Sequence, residues 1–255
     1  MFVLGSPYYR VFSTNWNQRF YIGLTAFFLL LLIACHNIPA LAKYKDTTYA
    51  FLIAALTMVV LKAGFFNLPI DSISPVKEIA LDKLSQFLHI VSVILVMTLL
   101  AGKKLGEIFL QPGRFKQGLV FGLVSFTGFA VIGYFLIAGT SNYVNMLIKS
   151  IPWLLLFVFA NAIMEELWFR GIFLKVFRPL VGKWGAILVT SLVFGLSHIS
   201  VTYDFPDGGI VFGGLVFILG TVGAYVMYEY DSAIGPIFFH AGYDLLIIVP
   251  IINSI

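Results

Sequence analysis

Residues 20–38 read FYIGLTAFFLLLLIACHNI, a run without a single Asp, Glu, Lys or Arg. An α-helix needs about 20 predominantly apolar residues to cross the hydrocarbon core of a bilayer. A run of this length and composition therefore predicts a transmembrane helix rather than a core helix of a water-soluble domain.

Runs of the same kind recur along the whole chain, separated by short segments that contain proline, glycine and lysine. Eight spanning helices would use ~160 residues, which leaves no room for a separate soluble domain. We therefore predict an all-α fold, a polytopic membrane helix bundle of about eight transmembrane helices. The predicted spans are residues 20–38, 48–66, 86–102, 118–138, 149–176, 184–202, 209–229 and 233–253.

The composition supports this prediction, because 60% of the 255 residues are hydrophobic and 11% are charged. Soluble domains are ~45–50% apolar and ~25% charged, and they cannot hide so much apolar surface from water. The formal net charge of +4 comes from basic residues scattered over short loops, so no nucleic-acid partner is expected. We expect a multi-pass integral membrane protein with membrane lipids around it.

Two segments have the composition of helices that lie at the membrane surface. Residues 1–19 carry aromatic side chains beside arginines, which is typical of an interfacial anchor. In residues 75–88, apolar side chains recur at helical spacing with charged ones between them. This second segment is either a surface helix that runs into the third span or the membrane-proximal start of that span.

Glycines recur four residues apart in two of the spans, at Gly118 and Gly122 and again at Gly209 and Gly213. Small residues at this spacing let helix backbones approach closely, which matters in lipid because apolar burial gives no drive for helix association. We interpret these glycines as packing positions.

The most informative residues are the ionisable ones inside the apolar spans. A charge at the bilayer centre costs at least ~2.5–3.5 kcal/mol, so such residues are rare without a function. Here they cluster in the last hundred residues of the chain: Glu165, Glu166, Arg170, His198, His240 and Asp244.

The fifth span places its two glutamates in different directions. Glu166 and Arg170 are one helical turn apart and can pair, whereas Glu165 points about 100° away from Glu166 and is left free to face a cavity. Asn161 precedes Glu165 by one turn and could hydrogen-bond to it. A charge cluster that merely locks helices together would give the same pattern.

The sixth and eighth spans each contribute a histidine. Phe194 and His198 share a helix face, as do His240 and Asp244. The second spacing suits either two ligands of one metal ion or a histidine oriented by a carboxylate. Together with Glu165, these groups are what hydrolysis in a water-filled cavity needs: a base, a group that polarises water and a donor for an oxyanion.

The three motifs, Glu165-Glu166-xxx-Arg170, Phe194-xxx-His198 and His240-xxx-Asp244, resemble the signature of the CAAX protease and bacteriocin-processing family (CPBP, or Abi), which includes the type II CAAX prenyl endopeptidases. The order, the spacing and the placement on three apolar spans agree. The resemblance divides the chain into variable N-terminal membrane helices with interfacial segments, residues 1–145, and a catalytic helical core, residues 146–255.

The resemblance implies an intramembrane endopeptidase in a bacterial or archaeal cell membrane. Glu165 would activate water, with His198 assisting, while His240 and Asp244 would hold the oxyanion or orient the water. The supporting residues would be Glu166, Arg170, Asn161 and Phe194. The substrate would be a peptide or lipidated protein associated with the membrane.

Asp244 departs from the family pattern, which often has asparagine there. An ionised carboxylate cannot donate a hydrogen bond, so Asp244 would have to be protonated, orient His240 or bind metal. No cofactor is required by the sequence, but Glu165, His198, His240 and Asp244 could hold a divalent ion such as zinc.

Two other functions fit a membrane protein with buried polar groups. One is a non-proteolytic immunity or regulatory protein with a membrane protein partner, although such a role has no need of Glu165. The other is a proton-coupled transporter, which the absence of internal repeats in the sequence makes less favoured.

Overall fold

The computed structural model describes residues 14–68, 74–137, 141–199 and 208–252. In this part of the chain the fold is built from eight long helices and contains no strand, which confirms the predicted all-α bundle. The helices are α1 Thr14–Asn37, α2 Lys45–Ala63, α3 Pro75–Leu100, α4 Phe115–Ile137, α5 Ser141–Glu165, α6 Leu174–His198, α7 Gly208–Tyr230 and α8 Ile234–Ile252.

Seven of these helices are long and apolar enough to cross a membrane, and α8 adds a shorter apolar stretch, Ile234–Val249. Large apolar side chains face outward, as Phe27, Leu30 and Ile33 of α1 show. An outward apolar surface of this extent requires lipid around it. The structure thus has the polytopic membrane architecture that the sequence predicts.

The predicted surface segment 75–88 and the third span are one continuous helix, α3, with Pro75 in its first turn. Proline suits this position because its missing N–H would have no partner there. The predicted interfacial anchor at residues 1–19 lies mostly outside the described residues, which begin at Thr14.

The predicted fifth span, residues 149–176, is not one α-helix. A π-helix, Glu166–Gly171, follows α5 directly, and α6 begins at Leu174. The wider turn of a π-helix re-aims the side chains that follow it, and such turns occur often at functional sites. α6 itself bends at Gly182, where φ is 74° and favours glycine.

Close packing at glycine joins the helices in pairs. A Cβ atom on Gly122 of α4 would lie 2.7 Å from the Cβ of Phe238 on α8, and one on Gly195 of α6 would lie 2.7 Å from the carbonyl oxygen of Gly213 on α7. The predicted role of Gly122 and Gly213 in packing is confirmed. These contacts hold α6 and α8 in place beside the end of α5.

Candidate active site

Three elements bring the polar residues of the spans together. The end of α5 supplies Glu165, the last turn of α6 supplies His198, and the second turn of α8 supplies His240. The Glu165 Oε2 atom lies 3.8 Å from Nε2 of His198 and 3.6 Å from Nε2 of His240. The three motifs, which are far apart in sequence, thus meet around one carboxylate.

Glu165 is buried, with 8% of its surface exposed, and its Oε2 atom has no hydrogen-bond partner among the described residues. Hydrogen bonds in proteins rarely exceed about 3.2 Å, so the distances to the two imidazoles are too long for direct bonds. A buried carboxylate oxygen without a partner is costly in free energy and needs an explanation by function or by water.

Glu166 and Arg170 are both fully buried and form a bidentate ion pair, in which the guanidinium Nε and Nη2 atoms donate to the two carboxylate oxygens. This ion pair confirms the pairing that was predicted from the four-residue spacing of Glu166 and Arg170 in the sequence. The two charges offset each other, so neither stays uncompensated inside the bundle. The guanidinium carbon of Arg170 also lies 4.4 Å from the centre of the Phe194 ring, a cation–π contact.

His240 connects this ion pair to the cavity. Its Nδ1 atom lies 2.8 Å from Oε1 of Glu166, and because a carboxylate paired with arginine only accepts, Nδ1 carries the proton. The Nε2 atom then faces Glu165 and also lies 3.6 Å from Oδ1 of Asp244. Glu166 therefore does more than pair with Arg170, because it also orients the imidazole.

Asn161 does not bind Glu165, so that expectation from the sequence is wrong. Its Nδ2 atom instead donates to Oδ2 of Asp244 at 2.9 Å. The reason is that α8 packs against α5 and presents a carboxylate to the amide. Asn161 and Glu165 each keep a buried oxygen atom without a hydrogen-bond partner among the described residues.

His198 is held by its own helix. Its Nδ1 atom lies 2.9 Å from the carbonyl oxygen of Phe194, and because a carbonyl only accepts, Nδ1 is the donor and Nε2 is left for the cavity. The rings of Phe194 and His198 pack edge to face with centres 4.6 Å apart. Ser197 donates its hydroxyl to the same carbonyl and is 3.1 Å from Nδ1 of His198. Phe194 thus supports the imidazole through both its backbone and its ring.

These groups line a cavity of about 150 Å³, enough for several water molecules at roughly 30 Å³ each. Its polar lining consists of Lys83, Asn161, Glu165, His198, His240 and Asp244, with Tyr243 beside them. Its apolar walls come from Phe157, Phe194, Phe212, Val216, Leu219, Ile247 and Ile248. A small polar space enclosed by apolar walls strengthens electrostatic interactions inside it.

Sequence reasoning missed Lys83 and Tyr243 as lining residues. Tyr243 directly precedes Asp244 in the sequence. Its position beside a motif residue does not indicate that the Tyr243 side chain also lines the cavity. Lys83 looks like an ordinary charged position of an amphipathic helix. Only the packing of α3 against α5 places it at the cavity.

The four side chains that could hold a metal ion do not form a metal site as they are arranged. No group of three or more His, Cys, Asp or Glu side chains in the described part of the chain converges on one position. Asp244 accepts a hydrogen bond from Asn161 at Oδ2, and its other oxygen, Oδ1, lies 3.6 Å from Nε2 of His240.

One of three comparisons with known proteins gives a match, and the matched region includes the residues of this site. Residues 147–246 match the sequence model of the family described as Type II CAAX prenyl endopeptidase Rce1-like. No curated protein and no solved structure matches the chain significantly. The matched region contains every motif residue around the cavity and confirms, for this part of the chain, the resemblance to the CAAX protease family.

Proposed function

We propose that this protein is an intramembrane endopeptidase that hydrolyses a peptide bond in a membrane-associated peptide or a lipidated protein. The observation that carries the proposal is the buried Glu165 Oε2 atom, which has no hydrogen-bond partner among the described residues and lies 3.6–3.8 Å from two imidazole nitrogens in a small cavity. The match to a family of prenyl endopeptidases supports the class of reaction.

In the proposed reaction, Glu165 acts as general base. Polar atoms separated by slightly more than a hydrogen bond are often bridged by water, and one water can contact Glu165 and His198 together. The Glu165 carboxylate takes a proton from this water, whose oxygen attacks the scissile carbonyl carbon. His198, with its proton fixed on Nδ1, accepts at Nε2 and orients the water.

The negative oxygen of the tetrahedral intermediate then needs a donor. His240, when protonated at both nitrogens, offers its Nε2–H, and Glu166 stabilises the imidazolium through Nδ1. Asp244 lies 3.6 Å from the same nitrogen and is held by Asn161, so we assign it to orienting His240. As the C–N bond breaks, Glu165 returns its proton to the leaving amine nitrogen.

The test is cleavage of a library of membrane-associated and lipidated peptides by the purified protein in detergent. Wild type, Glu165→Ala and His198→Ala would be compared with and without a chelator. The proposal predicts cleavage by wild type, retention of that cleavage in chelator and its loss in both variants, since a general base contributes about 10²–10⁴ in rate.

Two outcomes would overturn parts of the proposal. Cleavage that disappears in chelator and returns with zinc would assign Glu165, His198, His240 and Asp244 to metal binding instead. Full retention of cleavage in Glu165→Ala would remove the proposed base. The biological effect of the protein, if it survived Glu165→Ala in cells, would favour an immunity or regulatory role without proteolysis.

A further inference from the structure

A second cavity with polar groups lies at one end of the bundle and shares no lining residue with the candidate active site. The connections after α3 and α7 meet there, since the N–H of Ala233 donates to the carbonyl oxygen of Phe109 at 2.9 Å. The cavity has a volume of about 630 Å³, and ligand-binding pockets are typically ~300–1,000 Å³. Its lining consists of Phe109, Lys175, Arg178, Pro179, Tyr228 and Asp231.

The two acids at the end of α7 each have a lysine partner. Oδ1 of Asp231 lies 2.8 Å from Nζ of Lys175, and its Oδ2 accepts a hydrogen bond from the amide of Gln111. The carboxylate of Glu229 pairs with Lys183. These two carboxylates and these two lysines therefore neutralise each other.

Arg178 is the cation of this cavity that has no acid as its partner. Within the described ranges it forms no ion pair, and its side chain is exposed. Glu107, on the short helix before Phe109, lines a different cavity together with Lys103. Arg178 and the two paired lysines thus exceed the two acids of α7 by one positive charge.

The ring of Tyr228 holds this charge in place. The guanidinium carbon of Arg178 lies 5.2 Å from the centre of the ring, a cation–π contact that uses the flat face of the aromatic group. The N–H groups of a guanidinium form a planar fork that binds two oxygens of one phosphate or carboxylate. The cavity is larger than a carboxylate would fill, so it fits a phosphate with further groups attached.

Apolar side chains beside the cavity indicate what those further groups are. α6 bends at Gly182, and Leu180, Val181 and Trp184 are exposed around this bend. Trp184 stacks on Tyr225 with ring centres 5.8 Å apart. Tryptophan and tyrosine are enriched where the hydrocarbon core of a membrane meets the headgroups. A ligand at this level can place a charged group on Arg178 and apolar chains beside it.

We propose that this cavity binds the phosphate of an anionic phospholipid, with Arg178 donating to the phosphate oxygens. The lipid chains would lie against Leu180, Val181 and Trp184. Basic pockets between transmembrane helices bind phospholipid headgroups in this way. The surplus of one positive charge matches the single negative charge of a phosphodiester such as phosphatidylglycerol. The inference does not depend on the proposed endopeptidase function.

The test is native mass spectrometry of the purified protein in neutral detergent, titrated with phosphatidylglycerol. Diacylglycerol with the same chains lacks the phosphate, and inorganic phosphate, added as a competitor, lacks the chains. Wild type would be compared with Arg178→Gln and Arg178→Lys. Lys116→Gln is the matched control, because it removes the same charge from an exposed position of α4 that does not line the cavity.

We expect wild type to bind phosphatidylglycerol more tightly than diacylglycerol. Arg178→Gln should weaken the binding of phosphatidylglycerol about tenfold, the usual size of a hydrogen bond to a charged group. Arg178→Lys should keep part of the affinity, and Lys116→Gln should bind as wild type does. All thermal midpoints should equal that of wild type, because both substituted side chains are exposed.

Three results would overturn the inference. Equal weakening in Arg178→Gln and Lys116→Gln would assign the binding to the general charge of this surface. Diacylglycerol binding as tight as that of phosphatidylglycerol, or no binding of either lipid, would exclude recognition of a phosphate by the cavity. Displacement of the lipid by inorganic phosphate at equal concentration would show that the lipid chains contribute nothing and that the site takes free phosphate.

Discussion

The Nδ1 atom of His240 lies 2.8 Å from Oε1 of Glu166, across 74 residues of sequence, and the same carboxylate binds Arg170. All three side chains are buried. The buried ion pair of Glu166 and Arg170 therefore contacts the imidazole of His240 at Nδ1, and the other ring nitrogen, Nε2, faces the cavity. This contact links the stability of the bundle to the orientation of a candidate catalytic group.

Replacing Glu166 with Gln should strongly destabilise the protein. Arg170 is fully buried, and the loss of its partner leaves an uncompensated charge, which costs about 3–5 kcal/mol. Asp46→Asn is the matched control, because the pair between Lys103 and Asp46 is exposed and worth about 0–1 kcal/mol. Equal losses of unfolding free energy in the two variants, measured in detergent, would contradict the account.

Removing both partners of the buried pair should separate its structural role from its effect on His240. The double variant Glu166→Leu/Arg170→Met should recover most of the stability lost in Glu166→Gln, since no buried charge remains. Its cleavage rate should still fall by about 10-fold or more, because His240 loses the acceptor that fixes its orientation. A stable double variant with wild-type cleavage would show that Glu166 acts only through Arg170.

Asn161 is expected to matter for activity through Asp244. Asn161→Ala removes a hydrogen bond to a charged group, worth about 1.5–3 kcal/mol, and should lower kcat about 10- to 100-fold if Asp244 must stay in place. Asn161→Asp should lower kcat further, because two carboxylates would then face each other. Wild-type kcat in both variants would exclude Asp244 from a positioning role.

The packing of α4 against α8 gives a prediction on stability alone. Gly122→Ala would place a Cβ atom 2.7 Å from the Cβ of Phe238, so the helices must separate and the thermal midpoint should fall. Gly128→Ala, on the same helix, meets nothing within 4 Å and should be neutral or slightly stabilising. If Gly122→Ala and Gly128→Ala lowered the thermal midpoint equally, close packing at Gly122 would not be the cause of the loss.

The sequence alone predicts the contacts between residues that are close together in the chain, but not those between residues on different helices. The pair between Glu166 and Arg170 follows from helical spacing, because both residues lie on neighbouring turns of one element. The contacts of His240 with Glu166 and of Asn161 with Asp244 could not be predicted, since they depend on how α8 packs against α5 and the π-helix that follows it.

The same limit applies to the fifth span and to Lys83. Apolar composition predicts a continuous helix through residues 149–176, and nothing in it indicates the π-helix Glu166–Gly171. The amphipathic pattern of residues 75–88 predicts a helix, but helical periodicity does not reveal which element Lys83 will contact. Local patterns give the elements, and long-range packing decides which polar groups share a cavity.

The most direct test of the central claim is the comparison of Glu165→Gln with wild type in cleavage rate and in thermal midpoint. The change removes one charge from a buried oxygen that has no hydrogen-bond partner among the described residues, so stability should be equal to that of wild type or higher. The account predicts that the rate nevertheless falls by about 10²–10⁴, the contribution of a general base. A Glu165→Gln variant that is equally stable and cleaves at the wild-type rate would contradict the claim that Glu165 activates the water.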